Sequence, residues 1–221
     1  MLMYLSGNAH HEIAFAVHQC ARFTHCPKQS HTQAIKHLAK YLKCILDQEQ
    51  GLIYKPTTSL NLDCYVDADF DGLWNYEDDQ DPVCVRSRTG YVMTMGGCPI
   101  HWTSKLQTEL ALSTTEAEYI ALEQAMREFI PIRRAFDDML AAFNLDKDAH
   151  HAVKSTIFED NNGAISTATT PKMTPRTKHI AVKYHFVKQL FNPNHEDNPF
   201  TLVKIDTLEQ KADVFAKGLT A

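Results

Sequence analysis

Four acidic side chains stand at the edges of apolar stretches in this chain. Asp67 closes "LNLDCYVD", Glu118 falls early in "STTEAEYIALEQAM", Asp160 follows "STIFE", and Asp213 lies within "EQKADVFAKG". Carboxylates are the hard oxygen ligands that Mg²⁺ takes while it keeps several waters. Two such ions roughly 3.5–4 Å apart activate a water and stabilise the leaving oxygen in phosphodiester cleavage. Acids also collect at helix starts for electrostatic reasons, so any one of the four reads more readily as structural. Their number and order, each on a different element, point toward metal chemistry.

The charge is unevenly spread. The chain has 221 residues and a net charge of −5, which excludes a uniformly basic nucleic-acid coat. Eight acids and no Lys or Arg lie between Asp63 and Asp81, whereas five Lys or Arg and no acid lie between Pro171 and Phe191. An acidic cluster and a separate basic strip suit an enzyme that holds metal at one place and phosphates at another. Two solvated loops would give the same pattern. The basic strip contains Lys172, Arg176, Lys178, Lys183 and Lys188.

Six cysteines form no C-x-x-C pair, so reduced thiols in an intracellular protein are expected. The histidines of the first forty residues lack metal-ligand spacing. There is no apolar run near 18 residues, and "MLMYLSGNAHHE" lacks the basic and apolar regions of a signal peptide. No membrane partner is expected.

The elements that must position the acids follow from periodicity. His11 to Arg22 reads as a helix, and a second runs from His31 to about Leu46 with Ser30 as cap. Ile35, Leu38, Leu42 and Ile45 recur at helical spacing on the second. These two helices are too short to fold alone and must pack on something. Strands follow at Leu60–Asp67, Gly90–Met95 and Ile100–Lys105, the last two joined by the hairpin signal "GGCP". A long helix spans Thr114 to Phe143, with a possible kink at Pro131. A strand at Val153–Asp160, a short helix from Asn162, a helix from Thr177 to Phe191, a strand at Phe200–Ile205 and a helix from Glu209 to Lys217 complete a mixed α/β order.

Several motifs now stand in a recognisable order. "YVDADFDG", "SRTGYVMTMGGCPIHWTSKLQTELALSTTEAEYIAL", "FEDNNGAI", "RTKHIAVKYHF" and "KADVFAKG" together resemble the ribonuclease H region of copia-type LTR retrotransposon Pol polyproteins. "IAFAVHQCARF" and "AIKHLAKYLK" resemble the stretch that follows the polymerase in the same polyproteins. The resemblance implies an α/β, ribonuclease H-like fold: a mixed five-stranded sheet flanked by helices, with strands one to three antiparallel and the later two joining in parallel. Residues 1–56 are expected to form a two-helix appendage and residues 57–221 the ribonuclease H-like domain. The end of the first strand also comes one residue short of the Tyr-x-Asp-Asp signature of polymerases; by the resemblance, the polymerase palm belongs upstream of Met1.

The resemblance also assigns residues. Asp67 matches the Asp shared by both metals, the glutamate of Thr-Glu-Ala-Glu-Tyr falls within Glu116 to Glu118, Asp160 matches the Asp of an Asp-Asn pair, and Asp213 supplies the fourth ligand. The expected cofactor is two ions of Mg²⁺, or Mn²⁺ in its place. The implied activity is hydrolysis of the RNA strand of RNA–DNA hybrids. Asn161, Arg176, Lys178, His179 and Lys183 are the expected substrate contacts, and the upstream polymerase domain a candidate partner. Expected locations are a cytoplasmic virus-like particle or the nucleus. The chain departs from the family at Phe70, where Trp is usual, at Ala216, where Thr is usual, and at His10-His11-Glu12, where Arg-Pro-Asp is expected; its loop "IDTLEQ" lacks the histidine common in cellular ribonucleases H, as copia-type sequences generally do. None of these removes a proposed ligand.

Two other functions compete. An integrase-like strand-transferase needs a helical Glu about 35 residues past the second Asp. Glu196 lies 36 past Asp160, but in the loop-like "NPNHEDNP", and Asp213 would have no task. An inactive relic that binds nucleic acid, or nothing, keeps the fold alone.

The helix register separates Glu116 from Glu118. Ser113-x-x-Glu116 is a capping box, which gives Glu116 a structural role. Glu118, Leu122, Ala125, Phe129, Ile132, Phe136, Met139 and Phe143 form one stripe, which should face the sheet. Glu116 shares its face with Ile120, Glu123, Arg127 and Arg134, expected to be mostly wet.

Overall fold

A computed structural model of the chain describes residues 1–47, 52–55, 57, 61–70, 84–145, 153–170, 185–191 and 200–218. Helix α1 (Leu2–Asn8) and a 3-10 turn (His11–Ile13) lead into α2 (Ala14–Arg22) and α3 (Gln29–Asp47). Strands β1 (Asn61–Asp69), β2 (Arg88–Met95) and β3 (Cys98–Leu106) precede the long α4 (Thr114–Ala142). Then come β4 (Lys154–Glu159), α5 (Asn162–Thr169), α6 (His185–Leu190) and β5 (Phe200–Lys204). A second 3-10 turn (Thr207–Glu209) and α7 (Asp213–Ala216) close the described chain.

The strands form one sheet in the order β3-β2-β1-β4-β5. β1, β2 and β3 pair antiparallel, while β4 joins β1 and β5 joins β4 in parallel. This is the mixed five-stranded sheet expected from the ribonuclease H resemblance. The hairpin between β2 and β3 turns on Gly96 (φ 55°) and Gly97 (φ 84°). Two consecutive positive φ angles make a tight primed turn, which glycine adopts without steric cost.

The sheet is covered on both faces. Leu62, Cys64 and Val66 alternate along β1 and pack under Leu122, Ala125 and Phe129 of α4, all fully buried. On the other face Tyr65, Val92 and Trp102 meet Ala14 of α2 and Phe215 of α7. Residues from α5 and α6, Ala168 and Val187, join the α4 side.

The N-terminal helices are tied to the sheet by polar contacts as well. The Trp102 indole N–H donates to the Ser6 carbonyl at 2.6 Å. Arg88, almost fully buried, donates to the Ser104 hydroxyl at 3.2 Å and to the Gln19 side chain, and lies 3.0 Å from His18 Nδ1. Its guanidinium also stacks over the Phe15 ring.

Gly90 sets how closely α7 approaches the sheet. A Cβ there would lie 2.6 Å from the Ala216 nitrogen, 2.8 Å from the Phe215 carbonyl carbon and 2.9 Å from the Ala212 oxygen. All three are backbone atoms and cannot rotate away. Gly90 is also the β2 partner of Asp67, so the close approach brings the last helix to Asp67. Gly90→Ala should destabilise the protein by roughly 1–3 kcal/mol, as overpacking does. An unchanged urea midpoint would show that α7 is not seated this tightly.

Some sequence expectations are corrected. α1 was not anticipated. The helix expected over Glu209–Lys217 is a 3-10 turn followed by a helix of four residues. Of the helix expected from Thr177 to Phe191, His185–Leu190 is helix, and residues 177–184 lie outside the described residues. α4 runs through Pro131 without interruption. Its stripe packs on the core as far as Phe136 but not to its end: Met139 is 53% and Phe143 70% exposed. Ile120 and Glu123, expected on a wet face, are buried, because the N-terminal half of α4 is enclosed nearly all round.

Candidate metal centre

Register brings the first two acids together. β1 and β4 run parallel, with Tyr65 opposite Phe158. Two residues further on, Asp67 and Asp160 end up side by side at the carboxyl ends of adjacent strands. The start of α4 supplies the third. The Gln107 amide donates to the Ala117 carbonyl at 2.8 Å and to the Thr89 hydroxyl at 3.1 Å, pinning the first turn of α4 to β2. The Ser113 hydroxyl caps that turn by accepting from the Glu116 N–H. One carboxylate oxygen each from Asp67, Glu118 and Asp160 lies within 4.8 Å of the other two.

Asp213 reaches this group through a lysine. Lys217 Nζ lies 2.8 Å from Asp213 Oδ1 and 3.1 Å from Asp67 Oδ1. Gln210 holds the approach to α7: its amide donates to the Val66 carbonyl at 2.8 Å, and its oxygen accepts from the Ala212 N–H. The Thr207 hydroxyl donates to Asp160 Oδ2 at 2.7 Å. Lys217, Thr207, Glu118, Asp160, Asn161 and Phe70 line an open cleft above the cluster.

Asn161 caps α5, accepting from the Gly163 and Ala164 N–H groups at 2.8 and 3.1 Å. It therefore has a structural task in addition to lining the cleft. Arg176, Lys178, His179 and Lys183 lie outside the described residues, as does Glu196. Sequence reasoning missed three residues near the acids. Lys217 is four residues past Asp213, a helical spacing that could have signalled the pair. Glu159 precedes Asp160 and is fully buried, with Oε1 accepting from the Asn161 N–H. Thr207 lies 47 residues from Asp160, and no local pattern links them.

The cluster is short of positive charge. Burial pushes the Asp67 carboxyl up to about 7 against the opposing pull of Lys217, with Asp213 and Asp160 adding to the rise. Burial, then Glu159, Asp67 and Asp160, push Glu118 up to about 10. Burial also holds Glu159 well above the ordinary carboxylate range. Asp67 Oδ2, Glu118 Oε2 and Glu159 Oε2 are buried without a hydrogen-bond partner. An all-oxygen set of crowded carboxylates with unpartnered buried oxygens fits a hard divalent cation.

A pH dependence follows. A carboxyl whose folded pKa is raised binds more protons folded than unfolded, so stability falls as pH rises from the unfolded value, near 4.5 for Glu118 and 3.8 for Asp67, toward the folded one. In EDTA the protein should therefore melt lower at pH 8 than at pH 5.5. Mg²⁺ should raise the melting temperature more at pH 8. Equal melting at both pH values in EDTA would contradict this crowding.

The chain is 32% identical over 221 residues to the retrovirus-related Pol polyprotein from transposon TNT 1-94 of Nicotiana tabacum, a match covering 98% of this chain and 14% of that one. It is 30% identical over 209 residues to the Pol polyprotein from transposon RE1 of Arabidopsis thaliana, covering 95% of this chain and 13% of that one. Along nearly its whole length the chain is similar to the Pol polyproteins of copia-type transposons. It spans about one seventh of the length of these Pol relatives. No family model matches the chain. Among solved structures, it is similar to the N-terminal RNase H domain of a Mycobacterium tuberculosis protein, with a TM-score of 0.41 and 12% identity, over 72% of this chain and 91% of that one. Within this chain no described helix is long and apolar enough to cross a membrane.

Proposed function

We propose that the chain is the ribonuclease H module of a transposon Pol polyprotein, a metal-dependent endonuclease that cuts the RNA strand of RNA–DNA hybrids. The observation that carries this reading is the convergence of Asp67, Glu118 and Asp160 within 4.8 Å at the ends of β1, α4 and β4. With Asp213 beside them, these residues would hold two Mg²⁺ or Mn²⁺ ions. Such ions, when bound, supply an activated water and stabilise the leaving oxygen of the phosphodiester.

The chain's own residues supply the rest. Thr207 fixes one Asp160 oxygen, which sets how that carboxylate faces the cleft. Gln210 fixes the backbone beside Asp67. The buried surroundings of Asp67 and Glu118 keep water from competing for their oxygens. Arg176, Lys178, His179 and Lys183 are proposed to meet the hybrid's phosphates, which position substrate without reading sequence. Discrimination between hybrid and DNA duplex would rest on the RNA 2′-hydroxyls and on duplex shape. In this reading residues 1–56 link the module to the polymerase domain of its polyprotein, the protein partner we propose. Residues 57–221 are the module itself, and it acts inside the cell.

The test is purified chain offered strand-labelled RNA–DNA hybrid, double-stranded RNA and double-stranded DNA, with Mg²⁺, Mn²⁺ or EDTA. The expected result is shortening of the RNA strand in the hybrid alone, only with metal. Cleavage of double-stranded DNA instead would favour a strand-transferase-like enzyme. No cleavage of any substrate would favour an inactive relic.

A further inference from the structure

Lys217 occupies an unusual place in the acidic cluster. Its side chain is 37% exposed, yet its ammonium reaches the fully buried Asp67. It bridges Asp67 Oδ1 at 3.1 Å and Asp213 Oδ1 at 2.8 Å. The second oxygen of Asp67 is buried without a partner. The cluster thus has two unequal halves. Asp67, Glu118 and Asp160 converge on one another. Asp213 stands apart from that convergence, joined to Asp67 by the lysine.

We propose that Lys217 is an internal counter-cation of the site. Its ammonium neutralises Asp67 and Asp213 while no ion lies between them, and it must withdraw when an ion binds there. This rests on the metal-centre reading above and deepens it. A buried carboxylate without a cation or hydrogen-bond partner is costly, so Asp67 needs a partner whenever metal is absent. An ammonium and a divalent cation at neighbouring positions repel each other strongly where water is excluded. The lysine has somewhere to go, because its four-carbon stem is flexible and it already lines the open cleft. Two consequences follow. Ion binding is split into a tighter event at Asp67, Glu118 and Asp160 and a weaker one that displaces Lys217. The metal-free fold also depends on Lys217, whereas the ion-loaded fold does not.

The experiment is calorimetric titration of Mn²⁺ into the full chain, for wild type, Lys217→Met and Lys217→Arg, together with melting in EDTA and in Mn²⁺. In wild type the second ion should bind at least about tenfold more weakly than the first, because it must displace a cation. In Lys217→Met the weaker event should tighten by about the same factor, since the competing charge is gone. That variant should also melt lower than wild type in EDTA and recover in Mn²⁺. Lys217→Arg, which keeps the charge, should retain the split. A Lys217→Met protein whose second affinity is unchanged or weaker would overturn the proposal and leave Lys217 a structural residue. If Lys217→Met does not fold in EDTA, Lys217→Gln and folding in Mn²⁺ decide in the same way: recovery supports the proposal and failure in Mn²⁺ overturns it. A wild type that binds no Mn²⁺ would overturn the metal centre itself, which separates the two failures.

Discussion

Asp160→Asn should abolish RNA-strand cleavage and leave the metal-free protein no less stable than wild type. Loss of a residue that merely supports a metal ligand costs about 10–100-fold in affinity or activity, so loss of a ligand should cost at least about 100-fold. The fold should tolerate the change. The Thr207 hydroxyl donates to Asp160 Oδ2, and the asparagine carbonyl can accept the same bond. Asp160 also contributes to the upward shifts of Asp67, Glu118 and Glu159. Removing its charge relieves that crowding. Cleavage of strand-labelled hybrid with Mg²⁺ and melting in EDTA, on the same preparations, give the two readouts. Full activity in the variant would indicate a contaminating nuclease or a different site. A melting point several degrees lower in EDTA would indicate that Asp160 is structural.

Glu118→Gln and Glu116→Gln should separate catalysis from folding. Glu118 is 7% exposed, belongs to the converging group, and has one buried oxygen without a partner. Its neutral replacement should remove cleavage. It should also raise the melting point in EDTA at pH 8, because the wild-type carboxyl is held up to about 10 and its ionisation opposes folding there. Glu116 differs in every respect that matters. Its N–H donates to the Ser113 hydroxyl at 3.2 Å, and its carboxylate accepts from the Leu112 N–H at 2.9 Å. The capping box is thus present, with the return bond landing one residue before the cap. Glu116→Gln should keep cleavage and cost roughly 0.5–2 kcal/mol by analogy with cap losses, toward the lower end because glutamine can still accept. The reverse pattern, with Glu116→Gln inactive and Glu118→Gln merely unstable, would overturn the assignment.

The parts of this structure that periodicity governs were legible in the sequence. The alternation of Leu62, Cys64 and Val66 marked the buried face of β1, and "GGCP" marked the hairpin. The stripe from Glu118 to Phe129 put Glu118 on the sheet-facing side of α4, where it lies beside Asp67 and Asp160. Beyond Pro131 the stripe still packs through Ile132 and Phe136, but the same spacing ends in exposed Met139 and Phe143. Periodicity could not reveal that Ile120 and Glu123 are buried too, since burial on the outer face depends on what else packs there. The short final helix was overextended for a related reason. Gln210 uses its side chain to tie the chain to Val66, which holds Gln210 and Ala212 outside a longer helix. The three acids were found because each closes or opens an element. Lys217 and Thr207 were missed because their partners lie on other elements, where only the assembled fold brings them together.

In the proposed function Asp67, Glu118 and Asp160 hold metal. Anomalous scattering from crystals of the full chain soaked in Mn²⁺ tests it most directly. The expected result is a manganese peak bound by oxygens of these three residues. At higher Mn²⁺ a second peak should appear roughly 3.5–4 Å away, toward Asp213. Manganese bound only elsewhere on the molecule, with these carboxylates unliganded at saturating ion, would contradict it.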